Sequence, residues 1–334
     1  MMINNLIKVN IIKRLLSRLG YEKICCFFIR KKEPYIIRYE WNRKHKQIPY
    51  VRRDKKAFFM CIVPAAYDNE KIVSSLKKEI MDYEKRFPKH KIIFLCNFPD
   101  QLKLFRRLNI TSILSNHNAF LDERIFRILP EIKKDFDAIY DAKISRVKRY
   151  ELASKIKSLC FIYYFDEKDK RYAREIHNLF KGATWFNGEI DNYHRLKAIK
   201  LPYYINKARI GLCLSKSEGA MYSSCQYLLC GLPVVSTKSG GGRDVFFDKD
   251  FVEIVEDNPN SVKKGVDKLI KKDIDPKIVR EKTLKKIWDH RERFIEIIQK
   301  IYNKEGINKN FKKEFKRNFL NKMCYWHLVK VRKR

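Results

Sequence analysis

The stretch from Ser215 to Asp244, SKSEGAMYSSCQYLLCGLPVVSTKSGGGRD, decides how this 334-residue chain is read. It follows RIGLCL, a β-rich apolar run that ends at Leu214 and suits a strand buried on both faces. Ser215 to Ser217 then make a short polar loop, and a helix is expected to start near Glu218 or Gly219. Met221, Cys225, Leu228 and Leu229 fall at i, i+4, i+7 and i+8, which places one apolar stripe toward a sheet. Gly231 stops the helix and Pro233 opens the next strand, LPVVST. A strand, loop and helix in this order point the unpaired amides of the helix N-terminus into the crevice at the carboxyl edge of a parallel sheet, which is an anion site. Gly219 lets a ligand approach the backbone, and Glu218 brings an acceptor for a hydroxyl group beside it. The same residues also fit an ordinary α/β turn in which Glu218 only caps the helix. Beyond the strand, Gly240, Gly241 and Gly242 allow a further close approach or a sharp turn.

Upstream, the pattern is the same on both sides of residue 133. From Lys56, short apolar runs alternate with amphipathic ones: AFFMCIVPAA, DNEKIVSSLKKEIMDYEKRFP, HKIIFLCNF, PDQLKLFRRLN and ITSILSN read as strand, helix, strand, helix, strand. A second series starts near Phe136 with the strand FDAIYDAKI, a helical RVKRYELASKIKS, the strand SLCFIYYF, the helix EKDKRYAREIHNLFK and the strand ATWFN. It ends in the helices SVKKGVDKLIKK and Pro276 to Asn303. The expectation is an α/β protein of two wound domains, 1–133 and a fuller 134–304, followed by a basic aromatic tail, 305–334.

Composition narrows the classes. Hydrophobic residues at 45% and aromatic residues at 13% exclude a disordered chain, while 74 Lys and Arg against 39 Asp and Glu give a formal charge of +35. That field draws anions of any kind, whether nucleic acid, an acidic membrane leaflet or phosphorylated small molecules. Of the nine cysteines, several sit inside apolar strand-like runs and none forms a Cys-x-x-Cys pair, so free core thiols in a reducing, cytoplasmic compartment are expected, with no metal. The opening segment does not read as a signal peptide, and no run of about 18 apolar residues is present to span a membrane. Leu15, Leu16 and Leu19 with Lys13, Arg14 and Arg18 read either as an interfacial helix on an anionic membrane or as a helix docked on the N-terminal sheet.

The Ser215 to Asp244 stretch resembles the donor-site signature of retaining GT-B glycosyltransferases of family 4, also called group 1. Glu218, Gly219, Cys230, Gly231, Leu232, Pro233, Val234 and Val235 match that pattern in register. Gln226 departs from it, standing where a second Glu holds the ribose hydroxyls; an amide can still accept one hydrogen bond and donate another. The family also places an Arg and a Lys, five positions apart, after the first strand of its C-terminal domain. Lys143 and Lys148 hold that spacing here, with Arg146 and Arg149 close by.

The resemblance implies a GT-B architecture, two Rossmann-like domains with parallel sheets facing across a cleft, the N-terminal one reduced. It implies sugar transfer from a nucleotide-diphosphate donor to a hydroxyl of a glycan or lipid-linked acceptor, retaining and metal-independent, with no cofactor. Glu218, Lys148 and His117, in the loop SNHNAFLDE, are the implied catalytic residues. Lys143, Arg149, Ser217, Gly219, Ala220, Gln226, Gly240, Gly241 and Gly242 are the implied donor-binding residues. A metal-dependent enzyme of the other glycosyltransferase architecture would use an Asp-x-Asp motif, which Asp248-Lys249-Asp250 matches only as a string. Two other classes stay open: a nucleic-acid-binding protein, motivated by the charge although no binding signature is present, and a catalytically silent peripheral membrane protein of the same fold, motivated by Gln226.

Overall fold

A computed structural model describes residues 19, 21–41, 47–63, 67–318 and 325–333. Strands β1 (Tyr21–Arg30), β2 (Tyr35–Glu40) and β3 (Gln47–Pro49) precede the first wound element, β4 (Ala57–Ile62). All six residues of β4, AFFMCI, are buried, which is why the run shows no alternation: both faces of the strand are covered. Helix α1 (Glu70–Arg86) starts where the Asn69 side chain accepts from the amide of Ile72 at 3.3 Å. It carries Glu70 in its first turn and Lys85 and Arg86 in its last, and buries Val73, Leu76, Ile80 and Tyr83. Strand β5 (His90–Cys96), helix α2 (Pro99–Arg107), begun by its proline, and strand β6 (Ser112–Leu114) complete this series.

The next series is built on β7 (Phe136–Lys143), β8 (Leu159–Tyr164), α3 (Lys170–Leu179), β9 (Thr184–Trp185), α4 (Leu201–Asn206) and β10 (Ala208–Cys213). The two-residue strand β11 (Ser217–Glu218), helix α5 (Tyr222–Leu229), β12 (Val234–Thr237), the two-residue β13 (Gly240–Gly241), β14 (Val252–Val255), α6 (Pro259–Lys272) and α7 (Pro276–Lys304) follow. The main sheet has the order β14-β12-β10-β7-β8-β9, parallel throughout. The chain enters at β7, runs outward to β9, and returns to β10 on the other side of β7. The strand order therefore reverses between β7 and β10, and a crevice outside their carboxyl ends follows from that topology.

Two sequence expectations are corrected here. RVKRYELASKIKS is not one helix but two short 3₁₀ turns, Arg146–Lys148 and Tyr150–Ala153, separated by Arg149 in the left-handed region at φ 50°. Hydrogen bonds from the Tyr140 hydroxyl to Lys148 O (2.6 Å) and from the Tyr150 hydroxyl to Ala142 O (2.6 Å) hold the segment down, a tertiary constraint that outweighs its helical periodicity. Glu218 and Gly219 also do not begin a helix: α5 starts at Tyr222, and Ser217 and Glu218 pair instead with Gly240 and Gly241.

The end of the chain does not trail off as a tail. Helix α8 (Phe311–Asn318) buries Phe311 and Phe315, and β15 (Tyr325–Lys333) lies between β1 and β3, antiparallel to both. The resulting seven-stranded sheet has the order β3-β15-β1-β2-β4-β5-β6, with β2, β4, β5 and β6 parallel. Val329 and Val331 pack two residues apart on its core, as a strand period requires.

The chain thus forms two units, residues 1–117 with 293–334, and residues 118–292. The expected boundary at 133 and the separate tail from 305 are both displaced. Residues 118–133 belong with the second series because its side chains bind their backbone: Asn206 holds Arg127 O and the amide of Leu129, and Arg291 holds Ala119 O and Leu121 O. Eight cysteines among the described residues are free, seven of them buried. Of the basic N-terminal segment, Lys13, Arg14, Leu15, Leu16 and Arg18 lie outside the described residues. No described helix is long and apolar enough to cross a membrane.

Candidate functional site

Three loops leave the carboxyl ends of β7, β10 and β12, and their backbones are tied together. Lys216 N donates to Val147 O (3.0 Å), Gly240 N to Lys216 O (3.2 Å), and Gly242 N to Gly219 O (3.0 Å). Gly240 and Gly241 therefore do not hang free but are the strand partners of Ser217 and Glu218. Beneath the loops lies Arg243, only 1% exposed. Its guanidinium donates to Cys213 O (3.0 Å), Ser215 O (2.9 Å), the Ser236 hydroxyl (2.7 Å) and Thr237 O, while its Nε meets Asp244 Oδ1 at 2.7 Å. One planar, permanently charged group thereby fixes the exits of two strands.

Lys148 and Glu218 come together in this frame. The Lys148 ammonium forms an ion pair with Glu218 Oε1, the two side chains being 18% and 14% exposed. They stand on the loops that follow β7 and β10, the two strands flanking the reversal of strand order. Helix α5 begins immediately after Glu218-Gly219-Ala220-Met221, and Met221 at its N-cap, with φ 49°, gives no side-chain cap. Asn118 steadies that entry, donating from Nδ2 to Ala220 O (2.6 Å) and Met221 O (2.9 Å).

Helix α5 is buried around its whole circumference rather than along the expected single stripe. Tyr227 lies against Gly211 so closely that a Cβ added there would stand 2.3 Å from Tyr227 Cδ2. The Tyr227 hydroxyl accepts from the amide of Asp141 (2.5 Å), and the Ser223 hydroxyl donates to Asp141 O (2.7 Å), so α5 is pinned to the end of β7. At its other end, Gly231 takes φ +79° and passes Pro276 where a Cβ would meet Pro276 Cβ at 2.6 Å, a conformation and a space that only glycine fits.

The other residues singled out in the sequence fall into different places. Gln226 lies within α5, 7% exposed, and its Oε1 has no hydrogen-bond partner. A buried acceptor left unpaired costs about 1–3 kcal/mol. Lys143 sits on Asp166 (2.6 Å) and Asp169 (3.3 Å); burial lowers its pKa, and the two carboxylates outweigh that and leave it raised. Arg149 is committed to Leu214 O, Thr237 Oγ1 and Asp257, and so braces the loops. Ser217 and Gly240 are exposed at the surface of the two-strand pairing, while Gly219, Ala220 and Gly242 are buried beneath it.

His117 belongs to the first unit, 5% exposed, with its amide donating to Asn97 Oδ1 at 3.1 Å. Burial, with the Arg38 charge behind it, pushes its pKa down to about 3, so the imidazole is neutral across the physiological range. Asp248 and Asp250 are held by Lys286 and Lys282, and among the described residues no group of three or more His, Cys, Asp or Glu is placed to hold a metal ion.

Sequence reading missed Asp141, a half-buried carboxyl at the end of β7. Burial pushes its pKa up to about 7, with the nearby Lys148 charge acting the other way. It also missed the buried web around Arg243. An Asp in an apolar run was the available signal for the first, and the Gly-Arg-Asp sequence for the second.

No family model matches the sequence, and no curated protein matches it. Solved structures do. The HepE protein of Anabaena, solved in complex with UDP, is similar at a TM-score of 0.56 and 10% identity, over 74% of this chain and 79% of that one. A glycosyltransferase from Rickettsia africae gives a TM-score of 0.54 at 13% identity, covering 76% of this chain and 72% of its own. Sucrose-phosphate synthase of Thermosynechococcus elongatus gives 0.51 at 13% identity, covering 75% and 69%. At such identities the likeness is one of fold: the chain has two Rossmann-like units, a GT-B-like fold.

Proposed function

We propose that this chain is a glycosyltransferase that moves a sugar from a nucleotide-diphosphate donor to a hydroxyl of a glycan or lipid-linked acceptor. The observation that carries the reading is the Lys148–Glu218 pair at the reversal of strand order, directly ahead of α5. In this reading Lys148 releases Glu218 to meet the donor diphosphate, and the first turn of α5 adds partial positive charge to the same anion. Glu218, once released, accepts from the sugar hydroxyls, and Gln226 Oε1 receives a hydroxyl of the donor. Basic side chains then stabilise the leaving diphosphate without a metal, and the transfer is retaining, the leaving phosphate oxygen taking the acceptor proton.

The similar HepE structure was solved with UDP, which supports a uridine nucleotide as the first donor to try. The net charge of +35 supports work at an anionic membrane surface on the cytoplasmic side, with a lipid-linked acceptor in reach. Binding of UDP-, GDP- and ADP-glucose to the wild type and to Lys148→Ala tests the core of the proposal. At least one should bind, and more weakly to the variant by about tenfold or more, the loss of a charge-assisted phosphate contact. Equal affinity for both proteins removes Lys148 from the site.

A further inference from the structure

The end of β7 carries one group that has no part in the proposed transfer. Asp141 is fixed by its backbone, the amide on the Tyr227 hydroxyl at 2.5 Å and the carbonyl on the Ser223 hydroxyl at 2.7 Å, so α5 prevents it from withdrawing. Among the described residues its carboxyl makes no hydrogen bond and no ion pair. The groups facing it are Lys148 and Tyr150 from the turns after β7, Tyr164 from the end of β8 and Tyr227 from α5. Lys148 is the one cation of that set, and its ammonium is on Glu218. Burial holds all three tyrosines neutral. Arg149 and Arg243, two further cations of these loops, are committed elsewhere.

A diphosphate brought to Lys148 therefore arrives beside a carboxyl that forms no ion pair with any described cation. Ionised, that carboxyl is acceptor-only and repels the anion; protonated, it becomes a donor. We propose that Asp141 enters the site as a carboxylic acid and donates its proton as a hydrogen bond to the phosphate of the bound nucleotide sugar, so that donor binding takes up one proton from solvent. This rests on the reading of the Lys148 site as a nucleotide-sugar site. The half-buried position, which pushes the carboxyl up to about 7, makes the protonated form available near neutral pH.

The test is calorimetric titration of the full chain with UDP-, GDP- and ADP-glucose, whose diphosphates do not themselves titrate near neutrality, in two buffers of different ionisation enthalpy. For the sugar nucleotide that binds, the dissociation constant should rise about tenfold between about pH 6 and about pH 8, with about half a proton taken up near pH 7. Asp141→Asn, which keeps the shape and both backbone contacts, should bind at pH 8 as the wild type does at pH 6 and show no proton uptake. If the variant does not fold, the wild-type proton count decides alone. Tight binding with no pH dependence and no uptake, or a slope that persists in Asp141→Asn, overturns this inference and leaves the site intact. Failure of all three sugar nucleotides to bind at any pH overturns both.

Discussion

Replacing Arg243 with Met, similar in length but without charge, removes the donor shared by the loops after β10 and β12. Cys213 O, Ser215 O, Thr237 O and the Ser236 hydroxyl all lose a guanidinium partner in residues that are fully buried. Each buried acceptor left unpaired costs about 1–3 kcal/mol, and some of these keep a second partner, so the sum is about 3–5 kcal/mol, the range for breaking a buried charged network. That is about a fifth or more of the roughly 5–15 kcal/mol stability of an ordinary domain. Arg243→Lys keeps the charge but not the fork and should lose about 2 kcal/mol. Urea denaturation followed by circular dichroism measures both. A loss below about 1 kcal/mol for Arg243→Met would show that the web is not what holds the site loops, and the reasoning from it to Glu218 would fail.

Other perturbations address separate parts of the account. Gly211→Ala places a methyl against the Tyr227 ring and should destabilise by about 1–3 kcal/mol, read by thermal unfolding; a neutral result would mean that α5 can shift at no cost. Gln226→Met removes the unpaired buried oxygen and should raise the stability of the ligand-free protein by about 1 kcal/mol while weakening sugar-nucleotide binding; both quantities moving down together would contradict a ligand role. His117, depressed to about 3, binds its proton in the unfolded chain first, so stability is fully present above about pH 6.5 and falls toward about pH 3 by up to about 1.4 kcal/mol per pH unit; His117→Gln should flatten that slope in acid denaturation. Flotation with anionic liposomes at low salt should carry the protein upward, and sedimentation without lipid would count against the membrane surface.

Much of the fold is legible in the sequence because its parallel strands are buried on both faces and stand out as apolar runs between amphipathic helices, as AFFMCI and RIGLCL do. The site is partly legible for the same reason: Lys148 and Glu218 follow strands whose ends are easy to place. What sequence periodicity cannot register is pairing between distant segments. Strand β15 meets β1 with Tyr21 opposite Lys330, and no local pattern announces a partner so far along the chain. Residues 118–133 look like the close of the first series until Asn206 and Arg291 are seen holding their backbone. The start of α5 was displaced because Glu218 pairs with Gly241, a contact made across a 22-residue gap. Asp141 escaped notice because its environment, not its neighbours in sequence, gives it chemistry.

The measurement that bears most directly on the central claim is turnover of a bound sugar nucleotide by the wild type and by Glu218→Ala, counting sugar released to water or to an acceptor. The wild type should turn over, and Glu218→Ala should be slower by about 100-fold or more, the loss expected when a group acting on the transferring sugar is removed. Unchanged turnover in Glu218→Ala would contradict it.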